Sequence, residues 1–155
     1  MREQKKQEIE RGGTVMNDVY FIVPGDVVPK QRPRFSHGHA YTPKKTLDYE
    51  KKVKEAYLKE YPAGIAFEKE PLVMILNVYM AVPKSVSKKK RDHMICFEYP
   101  TKRPDSDNLI KSVADALNGV CYTDDSQITE VHVAKIWSES SKAEILIREA
   151  RKGAL

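Results

Sequence analysis

A chain of 155 residues with 41% hydrophobic and 32% charged side chains is long enough to bury one core and too apolar for wholesale disorder. No window approaches the ~18 uninterrupted apolar residues of a membrane span, and the opening MREQKKQEIERGG lacks the apolar centre of a secretory signal. A net charge of +5 is compatible with a polyanionic partner but identifies none, because charge speaks to solubility before function.

Residues 1–15 are charged, contain glycine and have no apolar periodicity, so they are expected to be a disordered or non-native extension, with Met16 the natural start. Truncation to Met16 is expected to preserve activity. A single domain is expected over 16–150, with 151–155 as a tail. Val19-Tyr20-Phe21-Ile22-Val23 reads as its first strand. From Pro24 to Tyr41 runs a long connection rich in Pro, Arg, His and Gly, and connections of that length are commonly functional. Thr42-Pro43 reads as the N-cap and first residue of a helix. Tyr49, Val53, Ala56 and Tyr57 give it one apolar face, and Pro62 and Gly64 stop it.

Leu72 to Met80 is apolar on both faces, the pattern of a buried central strand. Residues 83–99 are expected to form a basic helix or loop. A second main helix is expected over 107–117, with Ile110, Val113, Ala114 and Leu117 as its apolar stripe and Asn118-Gly119 as its end. Two strands, roughly 128–137 and 143–148, follow around a polar turn at 139–142. Trp137 and Tyr79 are expected in the core or at an interface between subunits. The order predicts an α+β fold, a single domain with a mixed β-sheet and helices packed mainly on one face. Cys96 and Cys121 belong to no CxxC pair, so a reduced, cytoplasmic setting is expected. His93 and Cys96 have the spacing of half a zinc site, but no second half is evident.

The segment richest in chemistry is Arg103-Pro104-Asp105-Ser106-Asp107-Asn108-Leu109-Ile110-Lys111, with Asp124-Asp125 beyond the helix. In an extended stretch, Asp105 and Asp107 project to one side. Along the helix Asp107, Lys111 and Asp115 stand at i, i+4 and i+8, one polar stripe. A calcium EF-hand also begins D-x-D, but Ile110 and Ala116 occupy the positions that would need glycine and glutamate. Converging carboxylates suit Mg²⁺, which takes few protein ligands and leaves positions for water and phosphate. Basic segments flank the acids. Lys30, Arg32 and Arg34, then Lys89, Lys90 and Arg91, then Lys102 and Arg103 are candidate phosphate contacts. Phe35, His37, His39 and Tyr41 are interleaved with the first group, a composition suited to stacking on unpaired bases. By spacing alone, turn, cap and surface ion-pair roles explain the same acids equally well.

RPDSDNLIKSVADALNG followed by YTDDSQI resembles the RusA family of Holliday junction resolvases, found in bacteria and their prophages. That family combines D-x-D-N-L-x-K-x-x-x-D-A-L with D-D-x-Q-[IV], and the similarity extends from about Met16 to about Ala150. The resemblance implies a homodimeric, Mg²⁺-dependent endonuclease of DNA recombination and repair, with Mn²⁺ able to substitute, that nicks opposing strands of a four-way junction symmetrically. It places metal ligands on Asp105, Asp107 and Asp125, with Asp124 the alternative in the doublet, and an essential lysine on Lys111. Neither a membrane nor a small-molecule cofactor is implied. A less selective nuclease of flaps or forks would use the same residues, whereas a non-catalytic DNA-binding protein would need only the basic segments.

Overall fold

The computed structural model describes residues 17–153, so the expected extension 1–15 lies outside the described residues. Four strands form the main sheet in the order β1-β6-β4-β5. They are β1 (Val19–Pro24), β4 (Leu72–Ala81), β5 (Ile128–Ser138) and β6 (Lys142–Glu149). β6 runs antiparallel to both β1 and β4, while β4 and β5 are parallel, which makes the sheet mixed. As its two-sided apolar pattern predicts, β4 is an interior strand. β5 and β6 are consecutive but do not pair, because β4 lies between them.

Register explains the core. Val19, Phe21 and Val23 stand opposite Ile147, Ile145 and Ala143, which in turn stand opposite Met74, Leu76 and Val78. With side chains alternating at period two, these rows form one continuous apolar face. Two helices cover it: α1 (Lys44–Glu60) through Tyr49, Val53 and Tyr57, and α3 (Ser106–Leu117) through Leu109, Val113 and Leu117. The third helix, α2 (Lys88–Phe97), closes a small satellite core of Val82, Met94 and Trp137. Tyr79 is half-buried, its ring beneath the Lys142 ammonium at 4.8 Å. A separate hairpin, β2 (Arg34–Ser36) with β3 (His39–Tyr41), occupies the long early connection. The single-domain α+β architecture with helices on one face is as the sequence predicts. Among the described residues no helix is long and apolar enough to cross a membrane.

Two boundaries differ from expectation. Pro43, not Thr42, is the N-cap of α1: its ψ of 141° keeps it outside the helix while its carbonyl accepts from the Thr46 and Leu47 N–H groups. α3 begins at Ser106, so Asp107 sits within the first helical turn and its relation to Asp105 is not the strand-like alternation expected. The stripe of α3 is also rotated: Leu109 and Ala116 are buried, and Ile110 lies at the edge.

Cys121 is fully buried, and burial pushes its thiol up to about 11, while Cys96 is exposed. Because the thiolate is the reactive form, a thiol-specific reagent at pH 8 is expected to modify Cys96 quickly and Cys121 only after unfolding. Equal rates for both in native protein would contradict this packing.

Candidate active site on helix α3

The buried face of α3 fixes the direction of its opposite face, where Asp107, Lys111 and Asp115 follow at one-turn spacing. Asp105 is the N-cap, in extended conformation, and its side chain makes no capping hydrogen bond. That carboxylate and the one of Asp107 are both exposed at the positive end of the helix. Lys111 is exposed and forms no ion pair among the described residues.

Three tethers hold the surroundings of the helix. The Lys135 ammonium on β5 donates to the Lys102 carbonyl at 2.7 Å and the Pro104 carbonyl at 3.1 Å, pinning the chain that leads into Asp105. The Ser112 hydroxyl donates to the Val28 carbonyl at 2.7 Å, and the Lys30 N–H donates to the Asn108 carbonyl at 3.0 Å. The early connection is thereby laid along α3. Finally, the Lys30 ammonium contacts Glu50 of α1 at 2.5 Å and Asp115 at 3.0 Å, with only 20% of its side chain exposed. Partial burial pulls the Lys30 pKa down, but the bonds to the two carboxylates outweigh it and hold the ammonium above the ordinary lysine value.

The chain beyond α3 folds back through hydrogen bonds. Gly119 takes a φ of 72°, suited to its lack of a Cβ. Its N–H donates to the Tyr122 carbonyl at 2.8 Å, and the Tyr122 hydroxyl donates to the Ala114 carbonyl at 2.6 Å. A short 3₁₀ turn follows, Asp125–Gln127, closed by a capping box. Here the two acids of the doublet part company. Asp124 spends its carboxylate on the Ser126 N–H at 3.1 Å, and that bond holds it below the usual carboxylate range. Asp125 is pushed up, first by its hydrogen bond with Asp124, then by partial burial and by the charges of Asp124 and Asp115. Of the two, Asp124 is the carboxylate that closes the turn, while Asp125 interacts with it from within the turn.

Asp125 therefore returns to the Asp115 end of α3, about 12 Å along the axis from Asp107 at 1.5 Å per residue. Among the described residues, no three Asp, Glu, His or Cys side chains are grouped closely enough to hold a metal ion. Asp105, Asp107 and Asp125 are thus not brought together within one chain. The donor chemistry still suits Mg²⁺, which is commonly held by one or two carboxylates together with water and substrate phosphate. Asp115, not among the ligands expected from the sequence, joins the site by pairing with Lys30, and its like charge helps to push Asp125 up. Its i+4 spacing from Lys111 was the available signal.

The basic residues have separate placements. Arg32 and Arg34 are exposed on and before the hairpin, and Arg103 is exposed beside Asp105. Lys89 and Lys90 are exposed on the first turn of α2, with Arg91 half-buried. The Lys102 ammonium stands 5.2 Å over the Trp137 ring. Lys30 is the exception, since its charge faces protein carboxylates.

Comparison with known proteins identifies the family. Residues 24–148, which span the hairpin, α3, the returning doublet and three of the four strands of the main sheet, match the family described as Endodeoxyribonuclease RusA. The uncharacterized protein YqaN of Bacillus subtilis (strain 168) is 36% identical over 144 residues, 86% of this chain and 98% of that protein. The crossover junction endodeoxyribonuclease rusA of Lactococcus phage r1t is 35% identical over 85 residues, covering 54% of this chain and 59% of the phage protein. A match across that much of the chain, over the very segments that build the α3 site, places the protein in the RusA family of endodeoxyribonucleases.

Proposed function

We propose that this protein resolves four-way DNA junctions by hydrolysing one phosphodiester in each of two opposing strands, as a homodimer in recombination and repair. The observation that carries this reading is the acid–lysine–acid face of α3, with Asp125 folded back to it, in a chain of the RusA family. One site cuts one strand, so symmetric resolution requires two sites related by a twofold axis.

Asp105 and Asp107, adjacent at the start of α3, are the proposed ligands of Mg²⁺ or Mn²⁺, with water and substrate phosphate filling the other positions, and Asp125 joins them only if the turn after α3 shifts toward that end. Such an ion, when bound, supplies Lewis acidity to the scissile phosphate and acidifies a water. The chain's own residues do the rest. Lys111, one turn from Asp107 and one from Asp115, offers a free ammonium to the charge that develops on the phosphate. Lys135 fixes the approach of Asp105 by holding the carbonyls before it. Asp124 closes the 3₁₀ turn and thereby orients Asp125. Arg32, Arg34, Lys89, Lys90 and Arg103, all exposed, are the proposed contacts to DNA phosphates. In-line attack by water leaves a 5′-phosphate and a 3′-hydroxyl.

The test compares cleavage of a four-way junction, a flap, a fork and a linear duplex at matched concentration. A rate on the four-way junction well above the others is expected. Equal rates on flap or fork would replace this proposal with a less selective branched-DNA nuclease, and binding without cleavage of any substrate would remove the catalytic reading.

A further inference from the structure

The β2–β3 hairpin stands apart from the rest of the fold. Its strands have three residues each, and all of them are exposed. Phe35 is 79% exposed. An isolated two-stranded hairpin is marginal in water, and an aromatic side chain left in solvent does nothing to stabilise it. Its shape is nevertheless well defined. His37 and Gly38 have φ of 50° and 77°, the positive pair of a tight two-residue hairpin turn, and they set the register Phe35↔Ala40 and Arg34↔Tyr41. With Ala40 opposite, nothing from the facing strand covers the Phe35 ring.

Charge identifies the occupant. Between Val27 and Leu47 there is no Asp or Glu, while Arg32, Arg34, Lys44 and Lys45 are all present beside Lys30, whose charge is met by Glu50 and Asp115. Two such segments brought together would repel each other, whereas a polyanion is complementary to them. A nucleic acid meets both demands, with phosphates for Arg32 and Arg34 and a flat base for Phe35. Geometry links the hairpin to the α3 site. The Lys30 N–H bond to the Asn108 carbonyl anchors its stem beside Asp107, and the run from Lys30 to Phe35 spans at most about 17 Å.

We propose that the β2–β3 hairpin is a branch-point wedge: Phe35 stacks on an unpaired or splayed base while Arg32 and Arg34 hold the flanking phosphates, setting which phosphodiester reaches α3. This rests on the branched-DNA reading above and specifies how that DNA is recognised.

Equilibrium binding in EDTA, with cleavage suppressed, reads the wedge directly. Phe35→Ala is expected to weaken binding to a four-way junction and to a single-stranded oligonucleotide by about 5- to 100-fold. Binding to linear duplex should be unchanged, and Phe35→Trp should restore both losses. Duplex, junction and single-strand affinities that fall together, or none that falls, would overturn the wedge. So would a Phe35→Ala protein that sediments at half the wild-type mass, which would assign the ring to a second copy. If wild type shows no preference for junctions yet Phe35→Ala still loses single-strand affinity, the resolvase proposal fails while the stacking role stands.

Discussion

Asp107→Asn is expected to lower the junction-cleavage rate by at least about 10²-fold while leaving junction binding intact or tighter. The substitution keeps the size of the side chain and removes the charge that a divalent ion and a phosphate would share. Position 107 is exposed within the first turn of α3, so the fold is not at stake. Loss of one acid beside DNA also removes a repulsion, hence binding that holds or improves. Asp105→Asn should behave in the same way. Asp124→Asn should cost far less, because its carboxylate closes a turn and asparagine caps turns nearly as well. Quantitative single-turnover cleavage with a parallel binding titration checks all three, and cleavage by Asp107→Asn at the wild-type rate would remove this residue from the reaction.

Lys30→Met is expected to lower stability by about 1–3 kcal/mol. The ammonium joins Glu50 on α1 to Asp115 on α3, and its loss leaves two largely buried carboxylates without their cation. The melting temperature should fall by about 2–12 °C. Lys30 is held above its ordinary value of 10.5 in the folded protein. Its contribution is therefore present below that ordinary pKa and lost only as pH rises through the folded value, so the gap between wild type and variant should be constant from pH 7 to 9. A lysine that contacted phosphate would behave differently. Its removal would leave the melting temperature alone and reduce the salt slope of DNA binding by about one. Calorimetry and a salt titration on the same variant separate the two roles, and Lys30→Arg should recover part of the stability.

Much of the fold was legible because its signals are local. The two-sided run from Leu72 to Met80 announced an interior strand, and Asn118-Gly119 announced the end of α3. What could not be read depended on contacts distant in sequence. Lys30 sits in the same basic run as Arg32 and Arg34, and nothing in the run tells which of them turns inward. The answer lies in Glu50 and Asp115, brought together by the packing of α1 on α3. Lys135 shows no motif, and its role as a tether arises from where β5 passes the 102–104 segment. The acidic doublet was visible as a motif, but the division of labour within it needed the 3₁₀ turn to be seen closed by Asp124. The return of Asp125 toward Asp115 and not toward Asp107 was equally hidden, since it depends on the Tyr122 bond to Ala114.

The most direct measurement uses a four-way junction with each strand labelled in turn, incubated with the protein in Mg²⁺ or in EDTA, and maps every cut to the nucleotide. Two nicks at symmetry-related positions on opposing strands, bearing 5′-phosphates and absent in EDTA, are the predicted result. Nicks that persist in EDTA, or cuts scattered over one strand only, would contradict a paired, metal-assisted resolvase.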